Sequence, residues 1–245
     1  MIASLGMYIR PETMAATDRF WTLIRDGLRA AGINAPDSLS HDQPFWETWQ
    51  SAEMVFSQTC GRPYRLKLHT DVNLVGTPDY GFEGLKAGYY ASPFVVRADD
   101  ERRDLSEFKD AVFAFNEELS QSGWAAPQTH VATLGFQFQN TWQSGGHIQS
   151  AQAVADGRAD IASLDLLSWK LIERHEACAA KLRVIGMTKP TPGLPYITGR
   201  NVDVGVVGQA VNDAILALSD ADRNVLCLKG LVQIPTSDYL AVPNP

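Results

Sequence analysis

Short apolar runs alternate with amphipathic segments along most of this 245-residue chain. The runs that predict strands are 2–8, 54–60, 73–78, 93–98, 111–116, 159–165 and 182–188. Apolar residues recur at helical spacing in 13–31, 146–156, 164–175, 203–218 and 221–229. Because the strand-like runs are apolar on both faces, we expect parallel sheets that are covered by helices, which is an α/β fold.

Two segments have the character of crossings between two lobes. In the first, 88–108, an apolar strand runs into a charged stretch without clear periodicity. The second, 186–199, has the sequence GMTKPTPGLPYITG, and its prolines predict an extended, stiff backbone. We therefore expect a discontinuous arrangement in which 1–93 and 190–245 form lobe 1 and 94–189 form lobe 2.

Composition excludes several classes of protein. The net charge is -7 and no block of Lys or Arg is present, so we expect no nucleic-acid partner. No run approaches the roughly 20 apolar residues of a membrane span, so we expect no membrane insertion. The three cysteines are an odd number, which argues against a disulfide framework and leaves a single pair open. The N-terminus lacks the pattern of a secretion leader, which favours the cytoplasm.

Motifs for catalysis and cofactor binding are missing. The sequence contains no P-loop, GxGxxG, HExxH, CxxC or GxSxG motif. No Ser, His and Asp stand in an order that indicates a catalytic triad. We therefore expect no cofactor, no metal and no catalytic residue.

The segment 116–127 places small polar residues after a predicted strand. Ser120, Ser122 and Gly123 open a short predicted helix. Hydroxyls and free amides at a helix start bind anions without a cationic side chain. The alternative is an ordinary N-cap, for which serine is a common choice.

The segment 144–165 repeats this arrangement. Gly145 and Gly146 allow backbone amides to approach a ligand closely, and Ser144 and His147 add side-chain donors at the same helix start. The alternative is a loop that needs glycine, with a solvated histidine. Asp165 ends the next strand, where it could contact a ligand or cap the following helix.

Polar and aromatic residues also follow the first two strands. Tyr8 comes after the first strand, and Thr59 lies in SQTCG after the second. Tyr90 lies near the first crossing. Tyrosines at such positions are equally explained by packing.

Several of these segments resemble one family, the phosphonate-binding branch of the ABC-transporter substrate-binding proteins. The resemblance runs from about residue 2 to 235, and its segments are SQTCG, LVGTPDYG, FVVRADD, AFNEELSQSGWAA, SGGHIQSAQAVADGRADIASLDLLSW and PTPGLPYIT. It implies a type II periplasmic-binding fold with two Rossmann-like lobes and two hinge crossovers. It implies ligand contacts from the second lobe at Ser120, Ser122, Gly123, Ser144, Gly145, Gly146, His147 and Asp165. From the first lobe it implies contacts at Tyr8, Thr59 and Tyr90.

The resemblance also implies a function. We expect a binding protein, not an enzyme, that holds a phosphonate-like or phosphate-like oxyanion in a cleft between the lobes and delivers it to a transporter's membrane subunit. It implies a periplasmic location, whereas the missing leader favours the cytoplasm. Two alternatives on the same fold are a cytosolic enzyme and a metabolite sensor.

Overall fold

The structure, a computed structural model, describes residues 1–245 and divides into two compact units. Unit 1 is Met1–Tyr89 with Pro192–Ala241, and unit 2 is Tyr90–Thr191 with Val242–Pro245. The chain thus passes between the units after Tyr89 and after Thr191, and its last four residues group with unit 2. That last passage was not predicted.

Twelve strands and nine α-helices make up the two units. The strands are β1 Ile2–Ser4, β2 Met54–Gln58, β3 Val72–Asp79, β4 Tyr89–Tyr90, β5 Pro93–Arg97, β6 Phe113–Phe115, β7 Thr141–Gln143, β8 Ile161–Ser163, β9 Leu182–Met187, β10 Thr191–Pro192, β11 Tyr196–Gly199 and β12 Gly230–Val232. The helices are α1 Pro11–Ala30, α2 Phe45–Trp49, α3 Gly61–Pro63, α4 Ala126–Ala132, α5 His147–Ala155, α6 Leu166–His175, α7 Val204–Ala217, α8 Asp220–Leu226 and α9 Thr236–Leu240. Short 3₁₀ and π-helical turns are Gly6–Tyr8, Tyr64–Leu68, Leu105–Phe108, Gln121–Ala125 and Ala177–Lys181.

Every predicted strand and helix has a counterpart among these elements, which confirms the α/β class. The first strand is shorter than predicted, because the chain turns into a 3₁₀ helix at Gly6–Tyr8. A Cβ on Gly6 would lie 2.7 Å from the Phe45 ring, so the small residue lets α2 pack against this turn. The structure also contains elements that were not predicted, among them β7, β11, β12, α2 and α9.

The expectation of purely parallel sheets is wrong. Unit 1 has the strand order β1-β2-β11-β3-β12, in which β1 and β2 are parallel and β11 is antiparallel to both neighbours. Unit 2 has the order β7-β6-β8-β5-β9, in which β6 is parallel to β7 and β8 and β5 is antiparallel to β8 and β9. The strands β5 and β11, which run against both of their neighbours, come shortly after the chain passes between the units, and no helix precedes them there; β12 is antiparallel to β3.

Each unit has its own core. In unit 1, α1 and α7 cover the sheet with Phe20, Trp21, Ile24 and Leu28 fully buried from α1. A Cβ on Gly27 would lie 3.3 Å from the Cβ of Ala210, so the glycine permits close contact of these helices. In unit 2, α5 contributes alanines and Val154 to one core, and phenylalanines of β5 and β6 form the other. Cys60, Cys178 and Cys227 are free thiols, so the pair that the sequence left open does not form.

Candidate functional site

Two helix starts lie side by side in unit 2. Strands β6 and β7 pair in parallel, with Phe115 opposite Gln143, so the segments that follow them leave from the same edge of the sheet. Backbone bonds join these segments: Ser144 N donates to Phe115 O at 2.7 Å, and Gly145 N donates to Asn116 O at 3.1 Å. The structure thereby brings the predicted residues of 120–123 and 144–147 together.

Ser122 and His147 connect the two helix starts directly. Ser122 Oγ lies 3.0 Å from His147 Nε2. Ser120 caps the first start, because its Oγ accepts from Gly123 N at 3.0 Å, and it lies 3.5 Å from Ser122 Oγ. The N-cap alternative is therefore confirmed for Ser120. Amides in the first turn of a helix lack an intrahelical acceptor, so both starts also present backbone donors.

His147 is electrically neutral at neutral pH. Burial lowers the pKa of its imidazole to about 4, and its Nδ1 is buried without a hydrogen-bond partner. Buried donors without an acceptor are rarer than buried acceptors without a donor. We therefore assign the proton to Nε2, which donates to Ser122 Oγ and leaves the hydroxyl proton of Ser122 available for a ligand.

Ser144 shapes the second loop from within. Its Oγ lies 3.0 Å from Phe115 O, 2.9 Å from Gly146 O and 2.7 Å from Ser150 Oγ. One hydroxyl has a single proton to donate, and these neighbours already compete for it. Ser144 therefore fixes the loop, and a ligand contact from its side chain stays a prediction.

Gly145 is required by its backbone conformation, since its φ is +90° and no atom would contact a Cβ there. Gly145→Ala should lower the free energy of unfolding by about 1–3 kcal/mol through backbone strain alone. Urea unfolding checks this, with Gly230→Ala as the matched control, because a Cβ at Gly230 also enters open space but at an ordinary φ. Equal effects of the two substitutions would contradict the explanation.

Asp165 caps the helix that follows β8. Its Oδ1 accepts from Ser168 N at 2.9 Å, so the N-cap alternative is confirmed, and a ligand contact stays a prediction. Ser163, which precedes Asp165 in the same segment, donates its Oγ to Ser122 O at 2.9 Å. The end of β8 thus helps to hold Ser122 in place.

Of the three contacts predicted from lobe 1, Tyr8 and Thr59 lie in unit 1, whereas Tyr90 lies in unit 2. Tyr8 belongs to the 3₁₀ turn after β1, and its ring contacts Tyr80 edge to face at 5.6 Å. Thr59 follows β2, is fully buried, and its amide donates to Pro195 O at 3.0 Å. Tyr90 is buried in β4 and is the first residue of unit 2. Their part in ligand binding stays a prediction.

Two polar residues at the ends of strands, Gln58 and Asn116, were not among the predicted ligand contacts. Gln58 Nε2 donates to Tyr80 OH at 3.2 Å and to Leu194 O at 3.1 Å, so it orders the end of β2. Asn116 Oδ1 is buried without a partner, and it occupies the space that a Cβ on Gly123 would need. The available signal was their position, because Gln58 ends a strand and Asn116 directly follows one.

Two α/β units connected by crossings of the chain, with polar helix starts at the ends of strands, define a binding protein of the periplasmic binding protein fold. The sequence model described as "ABC transporter, phosphonate, periplasmic substrate-binding protein" matches residues 49–238. The chain belongs to this family, so it is a substrate-binding component of transport and not an enzyme. The family is one of periplasmic proteins, and no helix of this chain has both the length and the apolar character needed to cross a membrane.

Solved structures agree with this fold. PhnD1 from Prochlorococcus marinus in complex with methylphosphonate is 13% identical with a TM-score of 0.75, over 97% of this chain and 94% of that chain. A binding-protein component of an ABC phosphonate transporter from Pseudomonas aeruginosa is 17% identical with a TM-score of 0.69, over 98% and 83%. XAC2383 from Xanthomonas citri bound to chloride is 17% identical with a TM-score of 0.68, over 97% and 93%. At these identities the likeness shows the fold. No curated protein matches the sequence.

Proposed function

We propose that this chain binds a small phosphonate-like oxyanion for an ABC transporter through the paired helix starts of unit 2. The observation that carries the proposal is the 3.0 Å contact between Ser122 Oγ and His147 Nε2, which joins the two starts. Around this contact, the hydroxyl of Ser120 and the first-turn amides of the two helix starts, those of Ser122 and His147, are the proposed donors, while Gly123 and the backbone of 144–146 hold the two starts in place. We call this set, residues 120–123 and 144–147, the donor cradle.

The donor cradle suits an oxyanion because its donors are neutral and fixed. The pKa of His147 lies well below 7, so the imidazole contributes a hydrogen bond and no full charge. The positive ends of the two helix dipoles then supply the attraction, as they do in other anion sites at helix starts. Hydrogen bonds to an ionised oxygen are roughly twice as strong as neutral ones, so a few aligned donors suffice.

The arrangement of Ser122 and His147 does not suit nucleophilic catalysis. A catalytic histidine needs a third group that orients its imidazole, whereas Nδ1 of His147 has no hydrogen-bond partner. Membership in a transport family supports the same conclusion. We therefore interpret Ser122 as a donor to the ligand and not as a nucleophile.

The proposal extends to the remaining predicted contacts and to the partner. Units 1 and 2 act as the two lobes, and Tyr8, Thr59 and Tyr90 contact the ligand when the lobes close. Asp165 accepts from a ligand amine or a protonated oxygen. The closed form is recognised by the membrane subunit of an ABC transporter, and the chain works in the periplasm. Membership in the family supports these assignments.

A thermal-shift screen tests the proposed ligand class. The purified chain is heated with methylphosphonate, phosphate, phosphite, methanesulfonate or acetate. A ligand at a hundred times its Kd adds ~2.7 kcal/mol to the free energy of unfolding, which raises the Tm of a chain of this size by roughly 5–11 °C, at 2–4 °C for each kcal/mol. We expect methylphosphonate to give such a shift. A folded protein with no shift from any of these oxyanions would overturn the proposal.

A further inference from the structure

The C-terminal helix α9 contacts the segments through which the chain leaves and re-enters unit 1. The first passage lies in β4, between Tyr89 and Tyr90, and the second lies in β10, between Thr191 and Pro192. Although α9 has only five residues, it ends at Leu240, and only Ala241 separates it from Val242, where the chain joins unit 2 again.

Neighbouring side chains of α9 hold each passage by a separate hydrogen bond. Tyr89 OH donates to Asp238 Oδ2 at 2.9 Å, which ties the last residue of unit 1 before the first passage to α9. Tyr239 OH donates to Gly193 O at 2.9 Å. Gly193 is the second residue after the chain returns to unit 1 at Pro192, so this bond ties the second passage to the same helix. Because Asp238 and Tyr239 are adjacent, α9 couples the two passages to each other.

Tyr239 is held firmly enough to act as an anchor. Its side chain is 1% exposed, and its hydroxyl also lies 2.6 Å from Thr77 Oγ1 of β3. Its ring packs edge to face on Tyr64 at 5.1 Å between centroids. Gly193 N in turn donates to Gly88 O at 2.8 Å, so the backbones beside the two passages are bonded directly.

We propose that α9 is a clasp that limits the conformational freedom of both passages. Any rearrangement of the units must be absorbed by φ and ψ changes in a few residues of the connecting segments. A helix that is hydrogen-bonded to both segments therefore limits how readily their φ and ψ angles change. The consequence for ligand binding, namely that α9 controls the rate of lobe closure, rests on the proposed function.

Hydrogen exchange of the ligand-free chain tests the clasp. In both variants the ring remains: Tyr89→Phe loses the hydroxyl bond to Asp238, and Tyr239→Phe loses the hydroxyl bonds to Gly193 O and to Thr77 Oγ1. We expect about tenfold faster amide exchange within 86–93 and 188–195, where Tyr89, Ser92, Thr188 and Gly193 donate backbone bonds. The rest of the chain should exchange at its usual rate.

Tyr64→Phe is the matched control. This substitution also removes a tyrosine hydroxyl that is bonded to α9, since Tyr64 OH lies 3.0 Å from Thr236 Oγ1. That bond involves no residue of either passage. Unchanged exchange at 86–93 and 188–195 in both test variants would overturn the clasp, and so would equal acceleration in Tyr64→Phe. Because no ligand is present, a failure of the clasp is distinguishable from a failure of oxyanion binding.

Discussion

Methylphosphonate should bind the Ser122→Ala variant roughly ten- to a hundredfold more weakly than it binds the natural chain. The hydroxyl of Ser122 is the donor that His147 leaves free, and a hydrogen bond to a charged group contributes about 1.5–3 kcal/mol. Titration calorimetry at pH 7 measures the change. Ser122 is buried, but its removal deletes a single oxygen and leaves the Ser163 bond to its carbonyl in place, so the fold should persist.

Two comparisons separate this effect from a general loss of structure. Ser106→Ala removes an exposed serine of unit 2 that is remote in sequence from the donor cradle, and it should leave affinity unchanged. A double-mutant cycle of Ser122→Ala with His147→Gln should be strongly non-additive, because the imidazole acts on the ligand through the serine hydroxyl. If Ser122→Ala bound methylphosphonate as tightly as the natural chain does, the ligand would bind elsewhere.

Local sequence was sufficient to locate the two helix starts. Serines and glycines that follow an apolar run are visible without a structure, as at Ser120, Ser122 and Gly145. The distance that matters joins Ser122 to His147, which lie 25 positions apart. It depends on the parallel pairing of β6 with β7, and Thr141–Gln143 has a single apolar residue, Trp142, which is too little to predict a strand.

The sense of the strands could not be predicted for a related reason. Apolar runs such as 93–98 indicate burial and not direction. β5 begins directly after the chain enters unit 2, and β11 follows the return to unit 1, so both are placed by the crossings. The proline-rich stretch 186–199 was correctly expected to be extended, yet its end pairs as β11 between β2 and β3. That pairing is a long-range property of the fold.

Whether Ser144 and Asp165 touch a ligand was equally beyond local sequence. Both residue types serve as donors, acceptors and caps, and composition does not choose among these roles. In the structure, Ser144 Oγ has three neighbours within its own loop, and Asp165 accepts from Ser168 N. Both side chains thus have structural partners, and a ligand contact from either of them stays a prediction.

Acid should destabilise the natural chain through His147 between pH 6.5 and about 4. The folded-state pKa of His147 is lowered from 6.5 to about 4 by burial, so in this window the unfolded chain binds a proton that the folded chain does not. The contribution of His147 is fully present above pH 6.5 and is lost as the pH falls. At 1.36 kcal/mol for each pKa unit, the loss approaches about 3 kcal/mol near pH 4.

Urea unfolding of the natural chain and of His147→Gln at several pH values measures this contribution. Glutamine keeps a polar group near Ser122 and does not titrate in the window, so the difference between the two proteins isolates His147 from the carboxylates and from His130, whose pKa is also lowered by burial. We expect the natural chain to lose more stability than His147→Gln as the pH falls from 6.5 to 4. If the two proteins lost stability in parallel, the imidazole of His147 would be solvated and would titrate near its ordinary pKa. The assignment of a neutral His147 that donates to Ser122 Oγ would then be wrong.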